Sequence, residues 1–121
     1  MAAAAAAARG FDPRKSTATI SVDSFATFVH NPVIPDLLSV PGIGDAAVEK
    51  LAAVGVTTTH QLLGKFLSLR TAGISVVDHA NAMYAWLADI KIVSQRDGIV
   101  RAVAEKANVW TPGVYDAKAF A

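Results

Sequence analysis

Apolar residues recur along this chain at helical spacing. Val22, Phe25, Phe28 and Val29 share one face of a helix opening near Ser21, and Asn31-Pro32 stops it. Two prolines then bracket Val33 and Ile34 in an extended connector, and Pro35-Asp36 starts a turn carrying Leu37, Leu38 and Val40. Pro41-Gly42-Ile43-Gly44 breaks that turn. Asp45 is placed to cap a helix over residues 46–54 whose core face is Ala47, Val48, Leu51 and Ala52, and Gly55 closes it with a left-handed residue. Thr58-x-x-Gln61 has the spacing of a capping box and opens a helix through Leu62, Leu63, Phe66, Leu67 and Leu69, ended by Thr71-Ala72-Gly73. Ser75 and Asp78 mark the start of a helix carrying Val76, Val77, Ala80, Met83, Tyr84 and Leu87. A last helix begins near Ser94, has Asp97 in its first turn, and continues through Ile99, Val100, Val103, Ala104 and Ala107. Period-two alternation is missing, so the expected class is all-α: a compact bundle of about five short helices.

With 121 residues, 53% of them hydrophobic, the chain suits one domain. Its boundaries are read as a flexible alanine-rich tail over 1–20, a helical domain over 21–108 and a C-terminal tail over 109–121. The run Ala2 to Ala8, followed by Arg9, Arg14, Lys15 and several hydroxyl residues, reads either as an organelle targeting segment or as a disordered extension. No apolar stretch approaches the roughly 20 residues that cross a bilayer, so no membrane span is expected. The net charge of +1 is uneven: residues 1–20 hold +2, and the remainder has eight basic against nine acidic residues. That balance argues against a strongly electrostatic nucleic-acid binder.

The most informative motif lies at 37–54, where Leu37-x-x-Val40-x-Gly42-Ile43-Gly44-x-x-x-Val48-x-x-Leu51 has helix-hairpin-helix spacing. Glycines at 42 and 44 permit torsions that other residues resist, and Ile43 points inward to hold the turn. Bare backbone at these glycines also lets a phosphate approach the free N–H groups of the next helix, with Lys50 one turn further on as a charge. Asp45 and Glu49 oppose that approach, and a purely packing hairpin has the same spacing.

Little else suggests chemistry. Without cysteine there is no thiolate nucleophile or disulfide. His30, His60 and His79 are too dispersed for a metal site and read as surface or capping residues; a lone axial ligand to a haem or pigment, at His60 or His79, is the alternative. With no nucleophile elbow, phosphate loop or carboxylate pair, the chain is read as a non-enzyme with no cofactor and no metal. Trp86 falls near the apolar stripe of its helix, whereas Trp110, beside Thr111-Pro112, suits a partner as well as the core.

The run Ser39-Val40-Pro41-Gly42-Ile43-Gly44, with Lys50-Leu51, Gly55-Val56 and above all Leu63-Gly64-Lys65-Phe66-Leu67-Ser68-Leu69-Arg70, resembles the barrier-to-autointegration factor family. Weaker matches at Phe28-Val29-x-x-Pro32, Trp86-Leu87 and Ser94-x-Arg96-Asp97 extend the resemblance over roughly residues 23–107. It implies a BAF-like, SAM-like bundle in the nucleus or cytoplasm. It implies a homodimer that grips double-stranded DNA without sequence preference, bridges two duplexes, and binds lamins and nuclear-envelope domains. The DNA-contacting positions it carries over are Gly42, Ile43, Gly44, Lys50 and Arg96. Asp23-Ser24 and Val93 stand where the family has further DNA-contacting residues, an insertion spans Ala72 to Asp78, and the loop after Leu87 is shortened. These departures support a second expectation: a structural, protein-interaction subunit of a larger assembly that no longer binds DNA, organellar if the N-terminal tail is a targeting segment.

Overall fold

Side-chain caps set most of the helix starts. In the computed structural model, which describes residues 10–120, the hydroxyl of Ser21 accepts from the Ser24 amide and opens α1 (Val22–His30). Thr58 and Gln61 form the full reciprocal capping box ahead of α3 (Thr59–Ser68), and Ser75 accepts from the Asp78 amide to begin α4 (Val76–Asp89). Two starts differ from expectation. α2 (Asp45–Ala52) is capped by Gly44, leaving Asp45 as its first helical residue, where its charge meets the positive end of the helix. α5 (Arg96–Trp110) begins two residues after Ser94, because Gln95 is left-handed at φ 61° and cannot belong to the helix. The described residues thus form five α-helices and three 3₁₀ turns, with no strand among them.

α5 is the axis of the bundle and packs against α1, α3 and α4. Ile99, Val100, Ala102, Val103, Ala104 and Ala107 on it are fully buried, and its small residues let the neighbouring helices come close. Around it, Phe25, Leu37, Leu51, Leu62, Leu63, Phe66, Met83 and Leu87 complete one core. Burying each such side chain contributes about 2 kcal/mol. Ala52, expected on the core face of α2, is exposed.

Both expected tails belong to the fold as far as they are described, which moves the packed body out to residues 11–120. Residues 1–9, which carry the alanine run, lie outside the described residues. Phe11 is buried, its amide donating to Asn81 Oδ1 at 2.8 Å, and the Asp12 amide donates to Asp97 Oδ1 at 2.8 Å. The Asp12 side chain caps the turn Pro13–Thr17, which lies along α5, and the Arg14 guanidinium beside it lowers the Asp12 pKa. At the other end Val114 and Tyr115 are buried and the turn Ala117–Phe120 brings Phe120 edge-on to Phe11, ring centroids 5.1 Å apart. Burial raises the Tyr115 hydroxyl pKa. An aromatic cluster of Phe11, Tyr115 and Phe120 therefore ties the two ends of the described segment together.

Among the described residues, no helix is long and apolar enough to cross a membrane. Trp86 is half-buried with Lys65 Nζ 5.0 Å from its ring centre, and Trp110 is largely exposed.

Candidate nucleic-acid interface

The Pro41–Gly44 turn forms, although its first arm is the three-residue 3₁₀ turn Leu37–Ser39 rather than an α-helix, and of its two glycines only Gly42 takes a torsion that other residues resist. Asp36 caps that arm, the Ile43 amide donates to the Val40 carbonyl at 3.1 Å, and Ile43 is buried as the anchor of the turn. The two glycines have different physical roles. Gly42 sits at φ +94°, and a Cβ there would lie 3.0 Å from Ile99 Cγ1 and 3.2 Å from the Gln95 carbonyl. It is needed for the fold, since the turn must lie against the start of α5. Gly44 has ordinary extended torsions and open space where a Cβ would be. It leaves the amide end of α2 bare, with no side-chain cap.

This difference sets a measurable contrast. Gly42→Ala is expected to destabilise by about 2 kcal/mol, from the left-handed torsion and the crowding against α5. Gly44→Ala is expected to cost less, about 0.5–1 kcal/mol, because alanine fits the space but caps α2 less well than glycine does. Paired urea unfolding curves check both, and equal losses would refute the division of roles.

Two depressions flank the turn. One, about 450 Å³, is lined by Gly44, Ala47, Lys50, Lys91 and Ser94 among others, and among the described residues its only charged side chains are the two lysines. The other, about 840 Å³, runs between α1 and the turn past Phe28, Ile34, Leu38 and Val40, with Asp23 its only charge among the described residues. Ile34 and Leu38 are about half exposed at its edge. Ile20 lines both.

The structure brings Gly42, Ile43, Gly44 and Lys50 together with the segment Lys91–Gln95, and leaves Arg96 apart. Lys50 Nζ donates to the Lys91 carbonyl at 2.7 Å, an exposed link from α2 to the end of α4. Lys91 itself is left-handed at φ 70° and its amide closes the α4 terminus on the Ala88 carbonyl. Arg96 lies over Tyr84, its guanidinium carbon 3.6 Å from the ring centre, and Nη1 donates to the Tyr84 carbonyl at 3.2 Å. Its Nε is buried without a partner among the described residues, so the group faces the protein. Asp23, Ser24 and Val93 are exposed, as are Asp45 and Glu49 beside the amide end.

Sequence reasoning missed Lys91, for which no pattern exists, and Ile20, whose signal was Gly98: a glycine inside a helix marks close approach. A Cβ at Gly98 would collide with Ile20 Cδ1. His79 corrects another expectation. His30 and His60 are exposed, but His79 is fully buried, stacked on Phe66 with centroids 4.0 Å apart and 13° between planes. Nε2 lies 2.7 Å from the Phe66 carbonyl, which can only accept, so Nε2 is the donor there, and Nδ1 has no partner among the described residues. The ring packs where a hydrophobe would. Among the described residues no three His, Cys, Asp or Glu side chains group as a metal site.

No family model, curated protein or solved structure matches this chain.

Proposed function

We propose that this chain binds the phosphate backbone of double-stranded DNA, without sequence preference, through the amide end of α2. The observation that carries this reading is the helix start at Gly44, without a side-chain cap, open to solvent and adjoining a depression whose only charges among the described residues are Lys50 and Lys91. Unpaired amides and the helix dipole favour an anion there, against the exposed Asp45 and Glu49 carboxylates beside them, and backbone contacts of this type position a duplex without reading its bases. Lys50 is exposed, so exchanging its carbonyl partner for a phosphate needs only a rotation of the side chain. Arg96 joins the contact only if it leaves Tyr84.

Two available lysines imply weak, salt-sensitive binding. The logarithmic salt slope for two neutralised phosphates is about −1.8, so affinity should fall about tenfold between 50 and 200 mM salt. Fluorescence anisotropy with a random duplex measures this, and Lys50→Glu should remove most of the signal. Absence of binding at 50 mM would sink the reading. Bridging of two duplexes further requires a homodimer, and a strictly monomeric sedimentation profile would remove that part.

The apolar depression favours a second reading, a structural subunit held by protein partners. Ile34 and Leu38 at its edge and Trp110 at the end of α5 are large exposed hydrophobes of the type that anchor interfaces. Salt-independent capture of the chain by a purified partner, with no affinity for DNA, is the result that would choose it.

A further inference from the structure

We infer that residues 11–20 are an autoinhibitory strap across the proposed DNA-binding face; the inference rests on the DNA reading above and names its regulation. The strap begins beside Arg96. Phe11 packs on Tyr84, ring centroids 6.4 Å apart, and Tyr84 is the ring on which the Arg96 guanidinium lies. The next amide, that of Asp12, is bound by Asp97, the neighbour of Arg96. The strap then follows α5, where Arg101 Nη1 donates to Ser16 Oγ at 3.0 Å.

It ends at the turn. Thr19 Oγ1 is 2.6 Å from Gln95 Oε1, and Ile20 rests over Gly98. Because Ile20 lines both depressions, it stands between the Lys50 and Lys91 side of the turn and the first residues of α1. A duplex lying on the Gly44 amides and reaching toward Arg96 must pass over Thr19 and Ile20, where it meets an aliphatic side chain with no charge for a phosphate. The docked strap thus occupies part of the approach and backs the ring that keeps Arg96 turned inward.

The two ends of the strap are held unequally. Phe11 is buried in the aromatic cluster, whereas Thr19 is exposed and Ile20 half-buried, with the Thr19 to Gln95 bond as the polar tie. The turn-proximal end therefore opens first, while the core stays intact.

The test uses the full chain with two releasing variants that act from different sides. Thr19→Ala/Ile20→Ser cuts the tie and the apolar contact from the exposed side. Gly98→Ala expels Ile20 from beneath, on a buried surface that no duplex touches, and improves the helix propensity of α5. Anisotropy with the random duplex at 50 mM salt should show both variants binding at least about fivefold tighter than wild type. Equal, measurable affinity in all three proteins overturns the strap and leaves the DNA reading standing. Tighter binding by Thr19→Ala/Ile20→Ser alone also overturns it, since that result reports a local surface change. No binding by any of the three overturns the DNA reading, and the strap falls with it.

Discussion

Replacing Phe66 with alanine is expected to cost about 4–5 kcal/mol, the largest single effect in the molecule. Phe66 is fully buried on α3 and meets His79 face to face at 4.0 Å. Truncation removes the transfer energy of the ring and leaves a cavity in the core between α3 and α5. It also strips the stack from His79, whose unpartnered Nδ1 would then face a void large enough for water. Phe66→Leu, which keeps most of the volume, should cost about 1–2 kcal/mol. A double-mutant cycle with His79→Leu isolates the stack, and a coupling near 1 kcal/mol is expected. Additive losses would mean that the two rings merely share a site. For a domain with a stability of about 5–15 kcal/mol, Phe66→Ala brings the protein close to unfolding at room temperature.

Phe66 also illustrates which features the sequence exposes. The helices and their caps were legible because their signals are local: Ser21 and Ser75 reach amides three residues ahead, Thr58 and Gln61 close a box within four residues, and Gly55 takes its φ of +84° one turn after α2. What stayed hidden depends on contacts between distant residues. Phe11 is a lone apolar residue in a polar stretch, and its partners Asn81, Tyr84 and Phe120 lie 70 or more positions away. Read alone, it marks a tail. Val114 and Tyr115 follow Pro112-Gly113, which correctly ends α5, yet the chain folds back onto the bundle. His79 has no carboxylate at helical spacing to announce a role, and the partner that explains it is a ring 13 residues earlier.

The candidate site was legible to the same degree. Glycine at 42 and 44 and the inward Ile43 followed from spacing, but only three dimensions separate a glycine pressed on α5 from one open to solvent. Arg96 is the clearest divergence between motif and geometry. The sequence resemblance leads one to expect a DNA contact at this position, while the side chain is spent on Tyr84. A guanidinium lying on an aromatic ring inside a fold gains on the order of 1–2 kcal/mol, enough to hold it against a weak phosphate contact. Motif position states where a charge is attached, and packing decides where it points.

Lys106 is the other large effect, with Lys106→Ala expected to cost about 3–4 kcal/mol. It is only 3% exposed, and no carboxylate pairs with it among the described residues. Instead Nζ donates to the Val29 carbonyl at 2.8 Å and to that of Asn31, closing the C-terminal end of α1, while the ammonium lies 5.8 Å from the Phe28 ring centre. Cations suit that end of a helix. Alanine removes both the buried stem and the donor. Lys106→Met keeps the stem, so its loss should be about 1 kcal/mol, and thermal melts of the two variants separate packing from capping. Burial also lowers the Lys106 pKa below its ordinary 10.5. Between the folded value and 10.5 the unfolded chain then binds more protons than the folded one, so wild-type stability rises with pH across that window. Lys106→Met has no such group. The stability gap between wild type and Lys106→Met should therefore widen as pH climbs toward 10.5. A gap that narrows there would show that the carbonyl bonds favour the charged ammonium more than burial opposes it.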